Sequence, residues 1–286
     1  MATGRLALTA KNGQDENAVE TANRQPAQRS DDLLTVCAVS LVAGVLADVV
    51  HEGLGHAATA LLTGAKSGVL STVAWSSEFD SRMVAACGTL ANLAAAVIFS
   101  LLLCSANGAS VRLRFFLLIS ASFNVFNGTG SLLFSGVTNF GDWAAVIAGM
   151  PVHWFWRTLL VVAGATSYYA AALAVGIGLV RYVGVCRNDA RRLRRLLFVP
   201  YFTALLLAVL GGLSNPLGVQ LVWQSALPGS AGAHSGLLWL RYSIPRGTVP
   251  ARSADAIGRS YGWIGLAAVL SMVFILVLGP GIRLER

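Results

Sequence analysis

The stretch VVHEGLGHAATALLTG, residues 49–64, places two histidines and a glutamate inside a run otherwise apolar enough to cross a bilayer. An ionisable group at the centre of a spanning helix costs about 2.5–3.5 kcal/mol on translocon-insertion scales, so it persists where it has partners or a wet cavity. His51, Glu52 and His56 can be read as neutral side chains bonded to neighbouring helices, with Glu52 a protonated structural carboxyl. They can also be read as a site. Two histidines bracketing a glutamate, in a chain with only four histidines, favour a metal site.

The spacing sharpens the question. Zinc hydrolases use HExxH because histidines four apart on a helix face one way and hold the metal, while the glutamate takes a proton from the bound water. This chain reads HExxxH. At about 100° per residue, five steps leave the two rings roughly 140° apart on a regular helix, against about 40° for four steps. A local π-type turn that absorbs about one extra residue restores a shared face, and such bulges gather at functional sites. Gly53 and Gly55 are the residues expected to supply the backbone freedom. The spacing resembles the HExxGH zinc motif of dipeptidyl peptidase III, a soluble enzyme with which only this local motif is comparable.

Working outward, the 286 residues are 55% hydrophobic and 12% charged, with a mean hydropathy of +0.65. A soluble domain of this size rarely has such a balance. Apolar runs of spanning length lie near residues 33–63, 83–105, 115–136, 152–180, 196–213 and 261–279. The expected fold is an all-α polytopic membrane protein with about six transmembrane helices. Residues 1–32 read as a disordered polar tail without a cleavable signal. Residues 33–145 read as a three-span core and 146–286 as a C-terminal region of about three spans. Within it, 214–260 reads as an external loop with an interfacial or re-entrant part.

Six arginines between residues 181 and 195 account for much of the formal charge of +8 and suit lipid headgroups better than nucleic acid. With the N-terminus inside, the inner segments carry 14 of the 21 Lys and Arg, which places both termini in the cytoplasm, at the plasma membrane. Cys37, Cys87, Cys104 and Cys186 are scattered, with no CxxC pair, and read as packing residues.

Other polar intramembrane residues cluster with the motif. Asp48 lies one turn before Glu52, where it would orient His51 or hold a water, or serve as a structural cap or a partner to Asn92. The third span ends in FNVFNGTG…NFGDW, with Asn124, Asn127, Asn139 and Asp142. His153 sits in an aromatic belt and His234 in a Gly/Ser-rich loop, where it reads as solvated. Ser135 has no paired base in the sequence, and a di-iron oxygenase needs more histidines than four.

Three stretches together resemble the site-2 protease family of intramembrane zinc metalloproteases. HEGLGHAATALLTG is similar to that family's first-span motif with one residue inserted. ACGTLANLAAAVIFSLLL, residues 86–103, is similar to its second-span pattern of a small residue, Gly and Asn, carried by Gly88 and Asn92. FNVFNGTG through FGDW resembles its third-span segment, in which an Asn-containing turn precedes the aspartate that completes the zinc site. The family's prolines are missing between Asn124 and Asp142. The likeness covers about the first half of the chain.

The resemblance implies Zn(II) held by His51, His56 and Asp142, with Glu52 as general base. Asn127, followed by Gly128, is the first choice for the asparagine beside the metal, and Asn124 the alternative. Spans one and three run the same way and carry their polar residues toward their C-terminal ends, so the ligands can meet at one depth. The implied activity is hydrolysis of peptide bonds in membrane-embedded protein segments or peptides, with membrane lipids as surroundings. The alternatives are a non-proteolytic scaffold related to that family and a proton-coupled small-solute transporter. The family likeness also implies a zinc near the cytoplasmic face, whereas the charge count puts that end outside.

Overall fold

Asp32 opens the first helix. Its side chain accepts the Thr35 backbone N–H at 2.9 Å and the Thr35 hydroxyl at 2.8 Å, bonds that hold its carboxyl below the usual carboxylate range. The neighbouring Asp31 is buried in an ion pair with Arg192, so residues 31 and 32 belong to the folded body and not to a tail. The computed structural model describes residues 30–79, 81–185, 187–244 and 255–286; most of the expected tail, 1–29, lies outside them.

Six helices are long and apolar enough to cross a membrane: α1 (Leu33–Thr63), α2 (Arg82–Ser105), α3 (Val111–Thr138), α5 (His153–Val183), α6 (Ala190–Leu213) and α8 (Tyr261–Leu278). The short helix α4 (Asp142–Ile147) follows α3. The chain is an all-α polytopic membrane protein with its spans within a few residues of expectation. The exception is α6, which starts six residues early. Asp189 caps it by accepting the Arg192 N–H, so Arg191, Arg192, Arg194 and Arg195 form its first turns instead of a connection.

The region 214–260 differs from the sequence reading. Residues 219–242 are helical throughout, passing from α to π to 3-10 turns, and are called α7. Gly212 of α6 faces Val222, the Tyr201 hydroxyl donates to the Ala231 carbonyl, and the Arg241 guanidinium lies over the Phe198 ring, so α7 runs back along α6. At about 1.5 Å per residue its 24 residues are long enough to return across the bundle. Its Gln, Ser, Gly and His lower its hydropathy, yet Ser230, His234 and Gly236 are buried against protein. A loop with the same composition would be exposed, whereas Ala226, Ala233, Leu237 and Leu240 are buried.

After α7 the chain rejoins the start of α1. The Asp32 N–H donates to the Ile257 carbonyl, the Ile257 N–H to Asp31, and the Ser260 N–H to the Thr35 hydroxyl. Helix α8 then runs alongside α1. A three-stranded antiparallel sheet of order β2-β1-β3 sits at the far end, with β1 Ser67–Ser71, β2 Ala74–Ser77 and β3 Ile282–Glu285. Residue 31 and residue 285 therefore lie at opposite ends of the bundle. Helix α5 packs along α3, and Asp31–Arg286 form one compact unit.

Candidate metal centre

The expected π turn is present and longer than a single bulge. Val49–Ala57 is a nine-residue π segment within α1, and the Ala58 N–H bonds back to the Gly53 carbonyl five residues earlier. With i→i+5 bonding, five residues make about one turn, which brings His51 and His56 onto one face. Their Nε2 atoms are 3.2 Å apart, with the rings edge to face at 83°. Neither Gly53 nor Gly55 has a positive φ. The role expected for them is corrected for Gly55: a Cβ there would fall within 3.0 Å of the Cys87 carbonyl and the Gly88 backbone, so Gly55 lets α1 and α2 touch. At Gly53 an added Cβ meets nothing closer than 3.7 Å.

Asp142 arrives from α3 through a reversal. Asn139 ends α3 in the left-handed region at φ 56°, and Gly141 follows at φ 87° and ψ −170°, a conformation that favours glycine. Asp142 is then the first residue of α4, turned back toward α1. Its Oδ2 lies 3.2 Å from His51 Nε2 and 3.6 Å from His56 Nε2. All three groups offer a ligand atom within 4.8 Å of the others and could hold a metal ion.

The geometry can be tested against a metal's requirements. A tetrahedral ion with bonds of about 2.0–2.1 Å has ligand edges of about 3.3 Å. The observed edges of 3.2, 3.2 and 3.6 Å fit it. The tautomers agree. The Ser120 carbonyl can only accept, and it takes Asn124 Nδ2 at 2.8 Å. Asn124 Oδ1 takes Asn92 Nδ2 at 2.8 Å, and Asn92 Oδ1 faces His51 Nδ1 at 2.6 Å. Asn92 Nδ2 also donates to the Ala47 carbonyl at 3.0 Å. His51 Nδ1 must therefore carry the hydrogen. His56 Nδ1 carries one as well, because it faces the Val84 carbonyl at 2.7 Å. In the neutral rings both Nε2 lone pairs then converge with a carboxylate, an arrangement that either a proton on Nε2 or a metal cation between the groups would satisfy.

This relay settles the asparagines. Asn124, the second choice, belongs to it. Asn127, the first choice, does not: its Oδ1 is buried without a partner among the described residues, and it lines a cavity. The sequence reading took Asn127-Gly128 for a turn, but α3 is unbroken there and carries four-residue periodicity through the site. Asp48 is likewise reassigned. Asn92, and not Asp48, orients His51, while Asp48 Oδ1 accepts the Val73 N–H of the β1–β2 turn at 3.2 Å.

Gly88 is the residue whose importance the sequence understated. An added Cβ would lie within 3.0 Å of both imidazoles, so the rings occupy the space above a bare backbone. The signal lay in its position one helical turn before Asn92, on the same face of α2.

Beside the ligands is a cavity of about 450 Å3. Glu52, 7% exposed, lines it together with His51, His56, Asp142, Trp75 of β2 and residues of α3 and α7. His234 is also in its wall and is 4% exposed, not solvated. Its segment was read as a loop, and its burial follows from the helical path of α7. His153 lies apart, bonded to Asn139 at 2.9 Å. Cys37, Cys87 and Cys104 are free thiols, and Cys186 lies outside the described residues. Comparison with protein-family models, curated proteins and solved structures finds no match for this chain.

Proposed function

We propose that the chain is an intramembrane zinc metalloprotease, similar in kind to the site-2 protease family, that hydrolyses peptide bonds of membrane-embedded segments. The observation that carries this reading is the convergence of two Nε2 atoms and one carboxylate at tetrahedral edge lengths beside a buried glutamate and a cavity. His51, His56 and Asp142 would hold the ion. Bound there, zinc supplies a Lewis acid that acidifies water and polarises a carbonyl.

The remaining work falls to the protein. Glu52 takes the proton of the attacking water and delivers it to the leaving amine nitrogen. Asn92 and the Val84 carbonyl keep the imidazoles in the tautomer that presents Nε2. The serines and asparagine of the cavity give water a foothold. A substrate helix must unwind to use it, because a regular helix buries its amides in hydrogen bonds.

Glu52→Gln tests the proposal in purified protein. The expected result is retained zinc, near one per chain, with cleavage of a membrane-segment peptide reduced at least 100-fold. Wild type that holds no zinc would sink the reading. Unchanged cleavage in Glu52→Gln would also sink it, and so would proton-coupled transport lost by that variant.

We also assign the start of α1 to the cytoplasm, because ten of the fifteen described Lys and Arg lie toward that end. The metal end then faces away from the cytoplasm, opposite to what the family likeness implies. A cysteine placed at Lys66 is expected to react with an impermeant maleimide added outside cells. Labelling only after permeabilisation would reverse the assignment.

A further inference from the structure

The cavity has a second polar wall that hydrolysis at the metal does not use. His234 sits where α7 changes from π to 3-10 turns, stacked on the Phe123 ring with centroids 4.3 Å apart and planes at 27°. Among the described residues neither of its ring nitrogens makes a hydrogen bond of normal geometry, the Phe123 backbone being the one polar group beside the ring. Asn127 lies one turn beyond Phe123 on the same face of α3, and its Oδ1 is likewise without a partner among the described residues. Both residues line the cavity.

The backbone around His234 is fixed. The Tyr168 hydroxyl donates to the Ala233 carbonyl at 2.6 Å and accepts the Gly236 N–H at 2.7 Å, clamping the chain on both sides of the imidazole. Ala233 packs on Gly130, where an added Cβ would lie 3.3 Å from it, and Gly236 packs on Phe126. A buried imidazole held this firmly, with no partner of normal geometry for its ring nitrogens among the described residues, is set to bind something that enters the cavity.

What enters can be read from the donors and acceptors. A neutral imidazole offers one N–H and one lone pair, and Asn127 Oδ1 offers a further acceptor. An anion would meet two lone pairs, and an alkyl group would satisfy none of the three. A neutral amide matches, its C=O accepting from the imidazole and its N–H donating to Asn127. We propose that His234 and Asn127 form a subsite that binds an amide group of the segment occupying the cavity. The proposal rests on the hydrolase reading for what that segment is: the unwound backbone flanking the scissile bond.

The test uses the full chain carrying Glu52→Gln, in detergent micelles, with 15N-labelled histidine. The His234 ring signals are assigned by their loss in a His234→Phe chain, which keeps an aromatic ring on Phe123. The probes are N-acetyl-leucyl-leucine N-methylamide and its ester analogue, in which oxygen replaces the internal N–H. The amide is expected to shift the His234 nitrogens in a saturable titration, with at least fivefold weaker binding for the ester and for the amide against Asn127→Leu. Unmoved ring signals, or equal affinity for amide and ester, would overturn the subsite. Because the titration reads binding and not turnover, the two readings fail separately. Wild type that binds the amide at His234 but holds no zinc removes the hydrolase and leaves the subsite standing.

Discussion

Gly88→Ala is expected to empty the metal centre. The added methyl would lie 2.9 Å from His51 Cε1 and closer still to the His56 ring. Helix α2 cannot retreat cheaply, because Gly55 of α1 already rests on the Gly88 backbone and the two helices are packed along this seam. The rings must therefore swing away from Asn92 Oδ1 and the Val84 carbonyl, which removes the hydrogen bonds that set their tautomers. Overpacking of this kind costs about 1–3 kcal/mol, and here the strain falls on the ligands. Metal analysis of the purified variant should give a zinc stoichiometry near zero and no cleavage. Leu90→Ala, at a half-exposed position on α2, should keep both. A folded Gly88→Ala chain with full zinc would show that the imidazoles do not occupy that space.

Asn92→Leu is expected to weaken metal binding by about 10–100-fold, the usual consequence of removing the group that orients a ligating histidine. The leucine fills the space but ends the relay. His51 Nδ1 loses its acceptor, and Asn124 Oδ1 loses its donor in a fully buried position. Each orphaned polar group costs about 1–3 kcal/mol, so the variant should also unfold at lower temperature. Asn92→Asp keeps an acceptor for His51 Nδ1 and should recover affinity better than it recovers stability. Chelator competition measures the first effect and thermal unfolding the second. Equal zinc affinity in Asn92→Leu and wild type would mean that the relay does not govern the ligand.

Helix arithmetic made part of this site legible. Histidines five residues apart cannot share a face at 100° per step, so a functional pair demanded a π register, and that register is present in residues 49–57. The direction of α1 and α3 likewise placed Asp142 at the depth of the histidines. What escaped the sequence was set by neighbours distant in the chain. Asn127 and Asn124 look alike along α3, and only the position of Asn92 on another helix distinguishes them. The helix α7 escaped because hydropathy reports contact with lipid, and His234, Ser230 and Ala226 of α7 are buried in protein. Strand β3 escaped because IRLE has no partner until Gly68 and Val69, at the other end of the chain, present a strand to it. Gly88 was visible as a glycine, but the two rings that need its missing side chain were not.

The nine-residue π stretch has a consequence for chain length. An extra residue in an ordinary helix turns everything downstream by about 100° and sends each side chain to a new neighbour. Here the surplus is absorbed between Val49 and Ala57, with Leu54 pushed out to 65% exposure. The part of α1 before it and the part after it therefore keep the phase they would have in an uninterrupted helix one residue shorter. Four-residue and five-residue histidine spacings are two lengths of one geometry, separated by a single exposed residue.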